Sequence, residues 1–168
     1  SDLLEISDSK WQNAVEGYLN TQRFHIIVEP QYYNIAAEVY DKCKNRIHTA
    51  AVVNTSKIRT DHTIHENSLA SVVESKNRYA MAYAYYLLGN VAMCDSVGEL
   101  KQHETAITQS CMLYKGHTLR KINPEVYKMP YIGKYALAEQ LKIKQKEYDE
   151  KTGEKRELEL SKRKYDAA

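Results

Sequence analysis

The chain is poor in the residues that usually announce a chemistry or a compartment. Its 168 residues include only three cysteines, three prolines, six glycines, one Phe and one Trp. Cys43, Cys94 and Cys111 are odd in number, widely spaced and without a CxxC pair, which argues against a disulfide framework or a Cys-rich zinc site and fits reduced thiols in a cytoplasmic setting. No run approaches the ~18 apolar residues of a membrane span. Neither sign of charge dominates, since 24 Lys and Arg face 22 Asp and Glu for a net charge of +2. A dedicated nucleic-acid domain usually shows a basic excess in its total. The motifs GxxxxGK[ST], GxGxxG, HExxH and GxSxG and an acidic calcium loop are all missing, so the familiar catalytic chemistries have no local signature. The opening SDLLEISDSK carries no initiator Met and no signal-peptide pattern, and reads as the interior of a longer chain.

What the chain has in excess is tyrosine, 14 residues. A hydroxyl on nearly every large aromatic favours half-buried positions and interfaces over a dry core. A chain of this size can close one core, burying roughly two-thirds of its unfolded surface.

Composition divides the chain into a mixed body, residues 1–132, and a charged, proline-free tail, 133–168. In the body, Ser7-Asp8-Ser9 offers N-caps before a helix carrying Trp11, Ala14, Val15, Tyr18 and Leu19 on one face. Residues 23–29 predict a buried strand ended by Pro30, which suits the first turn of a helix with Tyr32, Ala36, Val39, Tyr40 and Cys43 on a shared face. A second short strand is expected over 50–54 and a polar loop over 55–67; 68–73 fits a strand or a helix turn. The run RYAMAYAYYLL, 78–88, is apolar nearly all round and predicts a central helix ended by Gly89 at C′. Strands at 90–94, 106–108 and 111–114 and a short helix at 97–104 complete the body, with Lys115-Gly116 as a turn. The expected fold is α/β or α+β, a small mixed sheet with packed helices. In the tail, positions 137, 141, 144, 148, 151, 155, 158, 162 and 165 follow coiled-coil a/d spacing, with five of the nine apolar and Gly153 interrupting. A weak seam lacking its partner and a merely solvated helix both fit this pattern.

The candidate chemistry is sparse. Asp61, His62, His65 and Glu66 are the only dense ligand cluster, but the segment is loop-like and lacks a strong fourth ligand, so an exposed polar loop is the better reading. Cys111 with His103 or His117 could pair a nucleophile with a base, yet nothing local lowers the thiol pKa. Catalytic, metal and cofactor residues are therefore expected to be none. Lys42, Lys44 and Arg46, then Lys57 and Arg59, then Lys115, Arg120 and Lys121 form three basic clusters. They are candidates for weak, sequence-independent DNA contact, against the alternative of an ordinary solvated surface.

Trp11 to Leu19 followed by Phe24 to Val28 resembles the opening of the hinge region in SMC-like chromosome-maintenance ATPases. Asn67 to Val73, the Leu87-Leu88-Gly89-Asn90-Val91 turn, Ala106-Ile107-Thr108 and Tyr131-Ile132-Gly133 resemble later landmarks of the same region. The likeness covers most of residues 9–140 and is nearest to the Wadjet anti-plasmid (JetC) group, with the MukB-related group behind it. The resemblance implies an SMC-like hinge with a coiled-coil stub, without catalysis or cofactor, whose ATPase motifs lie in head domains elsewhere. Its implied partners are a second copy in a homodimer, the incoming coiled-coil arm of the same chain, and weakly DNA, at the nucleoid or a plasmid and at no membrane. Tyr83, Tyr86, Val91 and Met93 are candidates for the two-fold contact, which sheet edges could complete. Their alternative place is the protomer core. A nucleic-acid module using the basic patches, and an enzyme with an unrecognised site, are the competing readings.

Overall fold

The computed structural model describes residues 3–166; the extreme ends of the two segments, 1–2 and 167–168, lie outside the described residues. Contacts divide the chain into two compact units, Ser1–Lys134 and Tyr135–Ala168.

In the first unit the Asp8 carboxylate accepts the Lys10 N–H at 3.0 Å and opens a 3₁₀ turn that runs into α1, Gln12–Leu19. The apolar spacing read from sequence buries Trp11, Ala14, Val15 and Leu19. A short strand β1, Glu5–Ile6, precedes this helix and pairs antiparallel with β4, Val73–Glu74. Residues 69–72, ambiguous in the sequence, form a 3₁₀ turn leading into β4, so both expectations for that stretch hold in part.

The expected buried strand over 23–29 shrinks to β2, Ile26–Ile27, which pairs in parallel with β3, Val52–Val53. It is not buried, because β2 and β3 make a sheet of only two strands and Ile26 stays exposed. β-branched residues supplied the extended backbone but not the neighbours. Pro30 starts a 3₁₀ turn that continues into α2, Tyr33–Cys43. This β2–α2–β3 unit is tied by the Tyr40 hydroxyl donating to Ala50 O at 2.9 Å and the Thr55 hydroxyl donating to Val28 O at 2.7 Å.

The larger sheet has order β5-β6-β7-β8, from β5 Ala92–Cys94, β6 Thr105–Thr108, β7 Met112–Lys115 and β8 Thr118–Lys121. β5 and β6 are parallel, joined through the short helix α4, Val97–Leu100; β6, β7 and β8 form an antiparallel meander. The β7–β8 turn places Gly116 and His117 at φ 57° and 61°, two successive left-handed residues as a type I′ turn requires. Alternation along the strands sends Ile107 and Leu113 into the main core with α1 and with α3, Arg78–Leu88. Ala106, Met112 and Tyr114 point to the other face, against Leu100 of α4.

α3 matches its expected bounds, and the Asn77 side chain caps it by accepting the N–H groups of Tyr79 and Ala80. Gly89, expected at C′ for its conformational freedom, instead has an ordinary right-handed φ of −64°. What demands glycine is space: an added Cβ would lie 2.7 Å from the Tyr85 carbonyl oxygen and 3.0 Å from its ring. Gly89→Ala is therefore expected to destabilise by about 1–3 kcal/mol although alanine favours helix, read as a shift in denaturation midpoint at unchanged m value.

The closing loop of the body is held by Glu16, which is fully buried in α1. One carboxylate oxygen accepts the N–H groups of Tyr131 and Ile132 at 2.6 and 2.7 Å and the other accepts from Arg23 at 2.8 Å. Arg23 stacks over the rings of Phe24 and Tyr131, themselves edge to face at 4.8 Å. Glu5 accepts the Lys134 N–H at 3.0 Å.

The second unit is one helix, α5, Ala136–Asp166, 31 residues or about 46 Å long. Leu137, Leu141, Tyr148, Leu158 and Tyr165, the five apolar a/d positions, are all exposed. Its polar faces carry ion pairs one turn apart, such as Lys142–Glu139 and Lys155–Glu159. Gly153 has nothing within 4 Å of where a Cβ would stand, and the helix runs through it.

Candidate functional site

Two elements of the body are left without a cover. The first is β8, whose four residues Thr118, Leu119, Arg120 and Lys121 are all exposed. At the opposite edge, β5 is shielded by residues 67–69, with Leu69 N–H donating to Val91 O at 2.7 Å and Met93 N–H to Asn67 O at 2.8 Å. β8 has no such neighbour on its outer side among the described residues. An open edge presents unpaired N–H and C=O groups along a row, a template for another strand.

The second is α2, which has no fully buried residue. Tyr33, Ala36, Ala37, Tyr40 and Cys43 are half-buried on the side that packs on the small sheet. The other side carries Tyr32, Ile35 and Val39 at helical spacing; Ile35 is 63% and Val39 55% exposed. With exposed Ile26 of β2, this leaves a two-stranded sheet and one helix with apolar surface on the outside. Such a small unit is marginal without further cover.

The residues proposed from sequence for the two-fold contact are placed differently from one another. Val91 is 1% exposed and belongs to the main core with Leu88 and Leu69, so it cannot reach a partner; its backbone is held between Leu88 O and the Leu69 N–H, which fixes the side chain inward. Met93 is partly buried against the same core. Tyr83 is half-buried, its hydroxyl 2.6 Å from His25 Nδ1. Tyr86 is 67% exposed on the outer side of α3, with its ring parallel to that of Tyr83 at 6.3 Å. The sequence had suggested α3 as apolar on all sides; Ala80, Ala84 and Leu88 turn inward and Tyr86 outward.

Sequence reasoning did not single out Leu119, Ile35 and Ile26 as the exposed apolar residues of these two elements. The available signal was that α2 has apolar residues on two faces while its unit offers a lining for one.

The basic candidates do not form one stripe. Lys44 pairs with Asp41 at 2.8 Å and Arg59 with Asp61 at 3.0 Å, both on the surface. The Arg59 guanidinium beside Asp61, through hydrogen bond and charge, holds that carboxyl below its usual range. Lys42, Arg46, Lys57 and Lys121 are exposed. Lys115 and Arg120 line one cleft, and the Lys115 ammonium lies 3.4 Å from the Tyr18 hydroxyl.

The polar loop 58–67 keeps His62 stacked on Tyr85 at 4.1 Å, and the Tyr85 hydroxyl donates to Thr63 O. Among the described residues no three His, Cys, Asp or Glu side chains converge as a metal site would require. Burial pushes the Cys111 thiol up from its usual pKa, opposite to what a nucleophile needs. No helix among the described residues is long and apolar enough to cross a membrane.

His25, at the entry to β2, has its pKa lowered below the usual 6.5 by desolvation. The neutral form is favoured in the fold, so its contribution to stability is present above pH 6.5 and is lost as pH falls through the 6.5 of the unfolded chain toward the lower folded value. His25→Gln is expected to flatten the slope of unfolding free energy with pH in that window, measured by denaturant titration across mildly acidic pH.

No protein-family model matches the chain, and no curated protein matches it. Solved structures do. The hinge domain of the Pyrococcus furiosus SMC protein aligns with a TM-score of 0.55 at 19% identity, over 70% of this chain and 67% of that one. The P. furiosus hinge domain with an extended coiled coil aligns with a TM-score of 0.57 at 16% identity, over 95% of this chain and 58% of its own length. An asymmetric dimer of the Geobacillus stearothermophilus SMC hinge domain gives a TM-score of 0.57 at 16% identity, over 90% and 67%. The chain thus spans less than two-thirds of the extended P. furiosus structure. Its body of small sheets and packed helices, followed by a long helix, has the SMC hinge fold.

Proposed function

We propose that the body, residues 1–132, is a non-catalytic homodimerisation joint and that the segment from 133 onward begins an outgoing coiled-coil arm. The observation that carries this reading is the presence, on one protomer, of two uncovered elements of complementary kind. β8 offers an open strand edge, and the β2–α2–β3 unit offers a sheet of two strands flanked by exposed apolar side chains. Around a two-fold axis the edge of each protomer meets the small sheet of the other, so both deficits are satisfied twice by one closed contact. Backbone hydrogen bonds give register, while Leu119, Ile35 and Val39 supply the apolar seal. Tyr86 lies outside this pairing and Tyr83 is engaged by His25. A G. stearothermophilus neighbour is described as a dimer, which supports the reading.

The exposed a/d residues of α5 call for the incoming arm of the same chain as their partner. In this reading the joint serves an SMC-type, ATP-driven complex that entraps or extrudes DNA, with ATP chemistry in other parts of the protein. The finer assignment, to an anti-plasmid complex of the Wadjet (JetC) group, rests on the sequence landmarks alone; its test is plasmid retention in cells with and without a joint-breaking variant. DNA contact by the body is weak in this account, because two of the eight basic candidates are already paired on the surface and the net charge is only +2.

Amide hydrogen exchange tests the pairing. Segments 118–121 and 26–27 should exchange slowly at high protein concentration and faster on dilution. Rapid exchange at every concentration would overturn the proposed strand contact.

A further inference from the structure

A cleft of about 490 Å³ opens between the C-terminal ends of α1 and α3 and the β6–β8 part of the sheet. That volume lies within the range of small-molecule sites. Its floor is aliphatic, with Leu87 and Leu113 among the lining residues, and its only charged lining residues are Lys115 and Arg120, with no carboxylate. Neither cation has an ion-pair partner among the described residues, so the cleft is cationic without internal compensation. Lys121, next along β8, faces away from it.

Two aromatic rings belong to the same lining. Lys115 sits 5.4 Å from the centre of the Tyr18 ring, which preorganises the ammonium at the wall. Tyr86, the exposed large hydrophobic of α3, offers a ring face to the cleft. Carboxamides from Asn20 and Asn90 add donors and acceptors between rings and cations.

A second, independent feature coincides with this cleft. Asn20, a lining residue, adopts φ 48° and ψ −124°, a conformation outside the left-handed helical well that a non-glycine residue ordinarily uses. Strain of this kind persists where surrounding structure holds it and concentrates at ligand sites. Asn20 stands where α1 ends and the 3₁₀ turn 20–24 begins, so the strained residue sits at the rim of the cleft.

We infer that this cleft binds a nucleoside phosphate, with the planar base against Tyr18 or Tyr86, its edge met by the carboxamides, and the phosphate between Lys115 and Arg120. Aromatic faces accept any base, and paired cations without a carboxylate select an anion, so the class is defined by base plus phosphate. Every group the site uses belongs to one protomer; Arg120 lies on β8, the strand of the proposed dimer edge, with its side chain on the face opposite that of Leu119.

Calorimetric titration of the full chain with a purine and a pyrimidine nucleoside monophosphate, and with inorganic phosphate, tests it. Saturable binding is expected at a dissociation constant on the order of 1 mM or tighter, with inorganic phosphate about tenfold weaker for want of stacking. Lys115→Gln, Arg120→Gln and Tyr86→Ala should each weaken the nucleotide about tenfold while leaving the melting temperature unchanged, since all three side chains are exposed. If one charge variant fails to fold, the other carries the test. Absence of saturable binding, equal affinity for inorganic phosphate, or full affinity in both charge variants would overturn the assignment. A single-stranded oligonucleotide that displaces the mononucleotide assigns the base to a nucleic acid strand; one that leaves it bound assigns it to free nucleotide, and both results keep the site.

Discussion

Glu16→Ala is expected to lose about 3–5 kcal/mol of stability, the range for removing one partner of a buried ion pair. The Glu16 carboxylate is inaccessible to solvent and engages four donors: the Tyr131 and Ile132 N–H groups, Arg23 and the Gln12 amide. Alanine strands an arginine whose side chain is only 7% exposed, together with two backbone N–H groups, and water cannot reach them without opening the loop. Against a total of roughly 5–15 kcal/mol for a domain, this is a fifth or more of the stability. Glu16→Gln keeps an acceptor and the volume, so it should lose markedly less. Urea unfolding of both variants checks the ordering. An alanine variant within about 1 kcal/mol of the parent would show that solvent already reaches the pair, contrary to its burial.

The second large effect concerns assembly. Val39→Glu, and separately Ile35→Glu, should weaken the dimer at least about a hundredfold while leaving the protomer folded, because both side chains are more than half exposed and pack against nothing in the protomer core. The larger part of the loss comes from the carboxylate, which would be buried unpaired against an apolar surface, added to the lost apolar contact. Unchanged circular dichroism with a fall in mass is the expected pair of observations. A variant that unfolds would show instead that α2 packs inward more than its exposure indicates. A charge at Tyr86 should leave the fold intact, since that side chain points outward, and should leave mass unchanged.

The legible parts of the fold were those where local pattern and tertiary packing agree. α3 was plain because an apolar run ended by a glycine is helical by pattern and buried by composition. The strands β5, β6 and β7 were found for the same reason, their short apolar runs being the ones the core needs. β8 was missed. Thr118-Leu119-Arg120-Lys121 reads as a basic surface loop because its apolar content is a single leucine; it is a strand only because a Gly-His turn folds it back on β7. An edge strand awaiting a neighbour does not carry the alternation of a finished sheet.

The proposed interface was the least legible feature. Val91 was nominated because aliphatic residues near a turn fit a seal, but the same property takes it into the core. Ile35 was passed over because a helix was expected to show one apolar face, whereas α2 divides its apolar residues between its own sheet and an outer side. Gly89 was recognised as a helix end for the wrong physical cause, conformational freedom in place of close approach to Tyr85.

The most direct test of the account is absolute mass in solution, by light scattering on a sizing column over a wide range of protein concentration. The account predicts a stable species near twice the 19.4 kDa of one chain, converted to single chains by Val39→Glu. A strict monomer at every concentration, with β8 and the outer side of α2 both left in water, would contradict it.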